Sequence, residues 1–246
     1  QKWKCYFWFQ MDHVLNNPIY NALISGNKIF ARGDERVKFF PEDISPFAGL
    51  PENSQPDLHV LYQISPAKSF FILFTVQEME IPVKWKVMAQ MNILQMVRNN
   101  PVPLAEADEE LIVLQEEHVL EMMALTKMTN PGPFVSGTIR LGHYMGIFKE
   151  GRLVAMAGQR LHPNPFVEIS AVCTHPDHVG KGYAGILVND QIKRILAGSE
   201  TPFLHVLEVN ERAINLYQKL GFVIRKRVIG YGLQKQDDHI HPERYA

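Results

Sequence analysis

The sequence has only two cysteines among 246 residues. They sit in unlike settings, Cys5 in an aromatic leader and Cys173 in an apolar run, so a disulfide framework is not expected and a reducing cytoplasm fits. Metal spacings are missing too. His175 and His178 share a Pro/Asp loop, and His239 and His241 belong to a polar tail, where solvated histidines are the ordinary explanation; no metal is expected. Charge of one sign is lacking, since 25 Lys and Arg against 26 Asp and Glu leave a net charge of −1. No global basic field would draw in nucleic acid. No apolar run approaches the roughly 18–20 residues that cross a bilayer. Residues 1–10, QKWKCYFWFQ, lack an aliphatic signal-peptide core and a small-residue cleavage site. They read as a leader or upstream extension, with Met11 a candidate start.

What is present is ordinary globular composition, 46% hydrophobic and 21% charged, in a length that suits one large or two small domains. In the first hundred residues, 19–24 and 57–64 are helix-like, and 36–40 and 69–76 strand-like. After Pro82, the apolar Val83, Trp85, Val87, Ala89 and Met91 fall at every second position, the parity of a strand with one buried face. Asn99-Asn100-Pro101-Val102-Pro103 breaks that pattern and marks a domain boundary there or just after. The expected division is an N-terminal αβ domain over 1–106, a second domain over 107–238 and a polar tail over 239–246.

From Glu110 the pattern restarts. An apolar run over 111–114 precedes a helix with Val119, Leu120, Met123 and Ala124 on one stripe. A loop over 129–133 follows, then strands 144–148 and 153–159 about the turn Lys149-Glu150-Gly151-Arg152. Strand 166–174, helix 182–196, strand 203–208 and helix 211–220 come next. Gly221 closes the last helix, and a final strand pair lies within 222–233. The order β-α-β-β-β-α-β-α-β around one mixed sheet is an α/β plan.

Two segments carry chemistry. Strand 168–174 runs through a loop into Gly180-Lys181-Gly182-Tyr183-Ala184-Gly185, so small residues open a helix directly after a strand. Small residues allow close backbone approach, the N–H groups point outward together, and the helix dipole adds positive potential, which makes a pyrophosphate cradle. A glycine-rich turn alone serves equally as a tight turn. Downstream, Asn210 suits an N-cap. Tyr217 follows seven positions later on about the same helix face, where it reads equally as a core tyrosine.

Together these segments resemble the GNAT acetyltransferase superfamily. Val179-Gly180-Lys181-Gly182-Tyr183-Ala184 is similar to its acyl-CoA loop, usually written Arg/Gln-x-x-Gly-x-Gly/Ala. Asn210-x-x-Ala213-x-x-Leu216-Tyr217-x-x-x-Gly221-Phe222 is similar to its later motif. Residues 168–178, with the upstream Gly132-Pro133-Phe134 loop, look most like the bacterial branch related to glycine N-acyltransferases. The resemblance covers about 130 residues well and the first hundred loosely.

The resemblance implies a GNAT-type mixed sheet flanked by helices, with the N-terminal αβ region a degenerate second half that shapes the acceptor site. It implies acetyl-CoA as co-substrate, direct attack by an amine on the thioester, Glu168 as general base, and Tyr217 as proton donor to the leaving thiolate. Acyl-CoA contacts are implied for Val179, Gly180, Lys181, Gly182, Tyr183, Ala184, Gly185 and Asn210, and backbone contacts to the pantetheine arm for Val172 and Thr174. Val179 stands where the family has Arg or Gln, so Lys181 and Lys193 are the expected sources of charge. Cys173 lies mid-strand without a matched histidine and reads as a buried apolar residue.

The expected function is acyl-CoA-dependent N-acetyl transfer to a small-molecule or amino-acid-like primary amine, with residues 126–134 lining the acceptor pocket. One rival is a non-catalytic acyl-CoA-binding regulatory module; another is an aminoacyl or peptidyl transferase using charged transfer RNA, which near-zero net charge disfavours. The expected partners are acetyl-CoA and an amine, with no nucleic acid and no membrane, in a chain that could form a homodimer.

Overall fold

The computed structural model describes residues 13–103 and 109–237. The leader with Cys5, the boundary drawn between 106 and 107, and the tail with His239 and His241 lie outside the described residues.

The N-terminal elements begin with helix α1 (Pro18–Ile24), which places proline at its first turn, where the missing N–H breaks no helical bond. Three two-residue strands follow, β1 (Arg32–Gly33), β2 (Lys38–Phe39) and β3 (Ala48–Gly49), and form a small antiparallel sheet. Helix α2 (Gln55–Ile64) starts on a capping box between Ser54 and Asp57, and the buried Asp57 carboxylate also takes Arg36 Nε at 2.8 Å. Strands β4 (Phe70–Thr75) and β5 (Trp85–Arg98) complete this half.

The second half follows the expected order. It comprises β6 (Ile112–Val113), α3 (Val119–Thr129), β7 (Met145–Lys149), β8 (Arg152–Gln159), β9 (Phe166–Thr174), α4 (Tyr183–Ala197), β10 (Thr201–Leu207), α5 (Glu211–Lys219) and β11 (Phe222–Lys235). The β7–β8 turn takes positive φ at both Glu150 (51°) and Gly151 (73°), the twist that closes a two-residue hairpin.

All the longer strands form one mixed sheet, ordered β4-β11-β5-β10-β9-β8-β7-β6. Only β9 and β10 run parallel. The N-terminal β5 lies between β10 and β11, with Val97 opposite Phe203 on one side and Val223 on the other. The halves on either side of the expected boundary therefore share a sheet. Along β10, Phe203 packs with Leu15, Phe47 and Phe74 of the N-terminal half, while Leu204 and Val206 pack under α4 and α5. Helix α3 covers the N-terminal face of β8 and β9 through Met122 and Leu125.

Three expectations are corrected. The final strand pair within 222–233 is one long strand, β11, whose Gly230 lies so close to Ile93 that an added Cβ would come within 2.9 Å of it. The single buried face after Pro82 holds only at Trp85. Val83 is 90% exposed and Val87 and Ala89 are exposed, because apart from Trp85 the hydrophobic clusters on the sheet take in β5 only from Met91 onward. In α3 the buried stripe is Val119, Met122, Leu125 and Thr126, leaving Leu120 82% exposed. That helix is apolar nearly all round, so its periodicity does not select a face.

Candidate active site

The site begins where β9 and β10 part. β9 pairs with β8 as far as Thr174 opposite Ala155, yet meets β10 only over Phe166–Glu168. An extra residue in β9 breaks the register with β8, and Ala171 sits at φ 52°. A bulge of this kind bends its strand and re-aims the backbone. It leaves the edge of Val172 and Thr174 facing a wedge between the two parallel strands instead of a β10 partner.

The wedge opens into a cavity of about 960 Å³. Its lining contains Val172, Thr174, Val179, Gly180, Gly182, Tyr183, Ala184, Gly185 and Asn210, together with Tyr217. Of the expected acyl-CoA contacts, only Lys181 is absent from the lining. It sits outside, with Nζ 3.2 Å from His178 Nδ1. Lys193 is exposed on α4 and does not reach the cavity. The cationic residues that line it are Arg212 and Lys219, seven positions apart on α5 and so on about one face. The sequence reading passed over them. The signal was there: seven positions separate Arg212 from Lys219, the same spacing that relates Asn210 to Tyr217.

The cradle suits a pyrophosphate. Gly180 and Gly182 adopt φ of 90° and 83°, and the space where a Cβ would sit is open, so glycine is required there for its backbone conformation alone. Gly182 is the N-cap of α4 and supplies no side-chain cap, which leaves the first N–H groups of a 15-residue helix aimed outward. On the opposite wall, Asn210 Oδ1 accepts from Ala213 N at 3.1 Å and fixes the start of α5.

Tyr217 is 7% exposed, and burial pushes its phenol up to about 12, with the nearby Cys173 adding to the rise. It keeps its proton at any physiological pH. Cys173 also lines the cavity, but burial raises its thiol to about 12, against hydrogen bonds with Thr129 and Met156 that act the other way. A thiol so held is no nucleophile at neutral pH.

Glu168 does not lie in the cavity, and the base role expected of it finds no support in its surroundings. Its side chain is fully buried. Arg160 donates to it through Nε at 2.9 Å and Nη2 at 2.6 Å, and His205 Nδ1 lies 2.7 Å away. Burial alone would raise its pKa; the Arg160 charge and the hydrogen bonds from Arg160 and His205 overcome that and hold it near 2. Gln95 continues the chain: its amide nitrogen reaches His205 Nε2 at 3.1 Å and the Leu15 carbonyl, while its oxygen accepts from Arg225. This buried network lies where β9 and β10 part, and it ties the second half to the first.

Of the segment expected to face the acceptor, Thr129, Asn130 and Pro131 line the same cavity. Thr126, Gly132 and Phe134 line a neighbouring groove of about 430 Å³ that Asn130 also borders. Among the described residues, no group of His, Cys, Asp and Glu could hold a metal, and no helix is long and apolar enough to cross a membrane.

Comparison with known proteins agrees with this geometry. Residues 144–229 match the FR47-like protein family. A crystal structure assigned to the GNAT acetyltransferases, from Novosphingobium aromaticivorans, shares 31% identity over 92% of this chain and 100% of its own, with a TM-score of 0.84. A GCN5-related N-acetyltransferase from Kribbella flavida shares the fold at 15% identity, with a TM-score of 0.58 over 90% of this chain and 96% of that one. No curated protein matches the chain in sequence. With that identity over nearly its whole length, and a split sheet that carries the cradle and Tyr217, the chain belongs to the GNAT family of acetyltransferases.

Proposed function

We propose that this acetyltransferase moves an acetyl group from acetyl-CoA to a small-molecule or amino-acid-like primary amine by direct attack on the thioester. The observation that carries the reading is one cavity bringing the uncapped α4 N-terminus and the Tyr217 side chain to the same wedge between β9 and β10. The pyrophosphate would lie on the N–H groups of residues 183–185, with Arg212 and Lys219 supplying the charge that Val179 does not. The pantetheine arm would take the place of the missing β10 pairing along Val172 and Thr174. As the neutral amine attacks, the C–N bond forms and the C–S bond breaks; Tyr217 passes its hydroxyl proton to the departing thiolate and is reprotonated, through water, by the proton that the new amide nitrogen releases.

Kinship with the bacterial branch related to glycine N-acyltransferases rests on residues 168–178 and the Gly132-Pro133-Phe134 loop. A cytoplasmic setting is our reading of the sparse cysteines. The test is a thiol-release assay with acetyl-CoA against a panel of amines and amino acids. Tyr217→Phe should lower kcat about 100-fold with little change in KM for acetyl-CoA. Equal turnover in variant and wild type would remove Tyr217 from the acid role, and acetyl-CoA binding with no turnover on any amine would favour a non-catalytic module.

A further inference from the structure

The loop between β9 and α4 brings no charged side chain of its own to the cradle. Val179 leads into the first cradle glycine and is 43% exposed, but it offers a diphosphate neither charge nor a side-chain hydrogen bond. Arg212 and Lys219 stand on α5, across the cavity. The residue before Val179 is His178, which the sequence presents as a solvated loop histidine. It is half-buried instead, and it lines the cavity beside Val179, Gly180 and Gly182. Among the described residues of that lining it is the one imidazole, the side chain whose charge ordinarily changes between about pH 5 and 8.

Its contacts hold it at the start of α4. The turn Pro176–His178 is closed by His178 N donating to the His175 carbonyl at 2.9 Å and by Asp177 N donating to His175 Nδ1 at 3.2 Å. The His178 ring lies over Tyr183, with centroids 6.3 Å apart and planes 26° from parallel. Tyr183 is the first residue of α4, so the imidazole stands by the helix end whose N–H groups form the cradle. Lys181 Nζ lies 3.2 Å from His178 Nδ1. An ammonium can only donate, so Nδ1 accepts and the ring of the free protein is neutral, with its proton on Nε2. Burial, Lys181, His175 and Arg152 all hold the His178 pKa below the ordinary value, and Asp177 acts against them. A diphosphate reverses that balance. Its charge draws the exposed Lys181 off Nδ1 and favours the imidazolium, which then offers a charged N–H.

We propose that His178 stands in for the Arg or Gln that Val179 replaces: as acyl-CoA binds, its imidazole takes a proton from solvent and donates a charged hydrogen bond to the diphosphate, with Lys181 turning inward beside it. Cofactor affinity is thereby coupled to pH, which a fixed arginine would not allow. Because the complex holds one more proton than the free protein, affinity rises as pH falls through the pKa of the complex and levels off below that of the free protein. This rests on the acyl-CoA reading above and adds a binding residue to it.

The test measures binding and proton uptake, so it does not depend on turnover. Coenzyme A and dephospho-CoA are the probes; the second keeps the diphosphate but lacks the 3′-phosphate, whose own ionisation falls in the same pH range. Each is titrated calorimetrically into the full chain at pH 6, 7 and 8, in two buffers of different ionisation enthalpy. With either probe, wild type should gain about three- to tenfold in affinity relative to His178→Gln on going from pH 8 to pH 6. It should also take up more protons on binding at pH 7 than His178→Gln, which keeps a donor but cannot become charged. His175→Asn keeps the acceptor that caps the turn and should behave as wild type. Equal pH dependence and proton uptake in wild type and His178→Gln overturn the proposal. So does an excess seen with coenzyme A alone, which would move His178 to the 3′-phosphate. Failure of wild type to bind either probe would instead sink the acyl-CoA reading of the cavity, and this proposal with it.

Discussion

At the scale of single residues, Glu168 and Tyr217 show how burial decides what a titratable group does. Both are buried, yet one is surrounded by donors and the other faces an open cavity. Glu168 is held as an anion by the buried donors around it. Its pKa in the fold lies below the ordinary 4.5, so its stabilisation is complete above about pH 4.5 and is lost as pH falls toward 2. That difference corresponds to on the order of 3 kcal/mol. Glu168→Gln should cost about 3–5 kcal/mol by leaving Arg160 buried without its counter-charge, read as a lowered midpoint in urea. Activity of the wild type should show no carboxylate inflection between pH 4 and 6 that this residue sets. Tyr217 titrates in the opposite sense: its raised pKa keeps the hydroxyl intact, so kcat measured up to pH 10 should show no loss from its ionisation. A fall in that range, absent from Tyr217→Phe, would contradict the assignment. That Tyr217 and Asn210 border one cavity was legible, because helical spacing puts them on one face. The surroundings of Glu168 were not, because its partners Arg160 and His205 are brought to it only by the fold.

At the scale of elements, the start of α4 carries the clearest expectation. Gly182→Ala forces a left-handed conformation on a residue with a Cβ, which costs about 1–2 kcal/mol or shifts the turn. The open space around it means there is no steric clash to relieve. Thermal denaturation should therefore show a modest loss, while KM for acetyl-CoA rises more than kcat falls. A variant with unchanged KM would argue that the cradle does not hold the pyrophosphate. Asn210→Ala should cost about 1 kcal/mol through the lost cap of α5, measured the same way. Strand and helix boundaries in the second half were readable, because glycine, proline and asparagine punctuate them and their apolar periods differ. Helix α3 was readable as a helix but not as to its buried face, since Leu120, Met122, Met123 and Leu125 place apolar groups around most of its circumference. In β5, alternation suggested burial that the fold withholds, because apart from Trp85 the hydrophobic clusters covering the sheet take in this strand only from Met91 onward.

At the scale of the whole molecule, the N-terminal half supplies the strand without which β10 and β11 have no common neighbour. A protein trimmed to residues 107–246 should fail to fold, giving collapsed amide dispersion in NMR and no cooperative thermal transition. A well-folded fragment would mean that β10 and β11 can pair without β5. No local signal in the sequence reveals this arrangement, since strand partners over such distances leave no periodic trace. Gln95, for example, bonds to His205 and Arg225 across separations of 110 and 130 residues. The same wiring governs the order of events during synthesis. β5 emerges from the ribosome long before either of its sheet partners exists, and until then Ile93, Leu94 and Met96, buried in the fold, have no cover. Closing loops of that length before any contact rewards them makes for a slow search, one on which a nascent chain is open to misassociation. Refolding from denaturant should accordingly be slow and sensitive to protein concentration, and chaperone occupancy should persist until β11 has been translated.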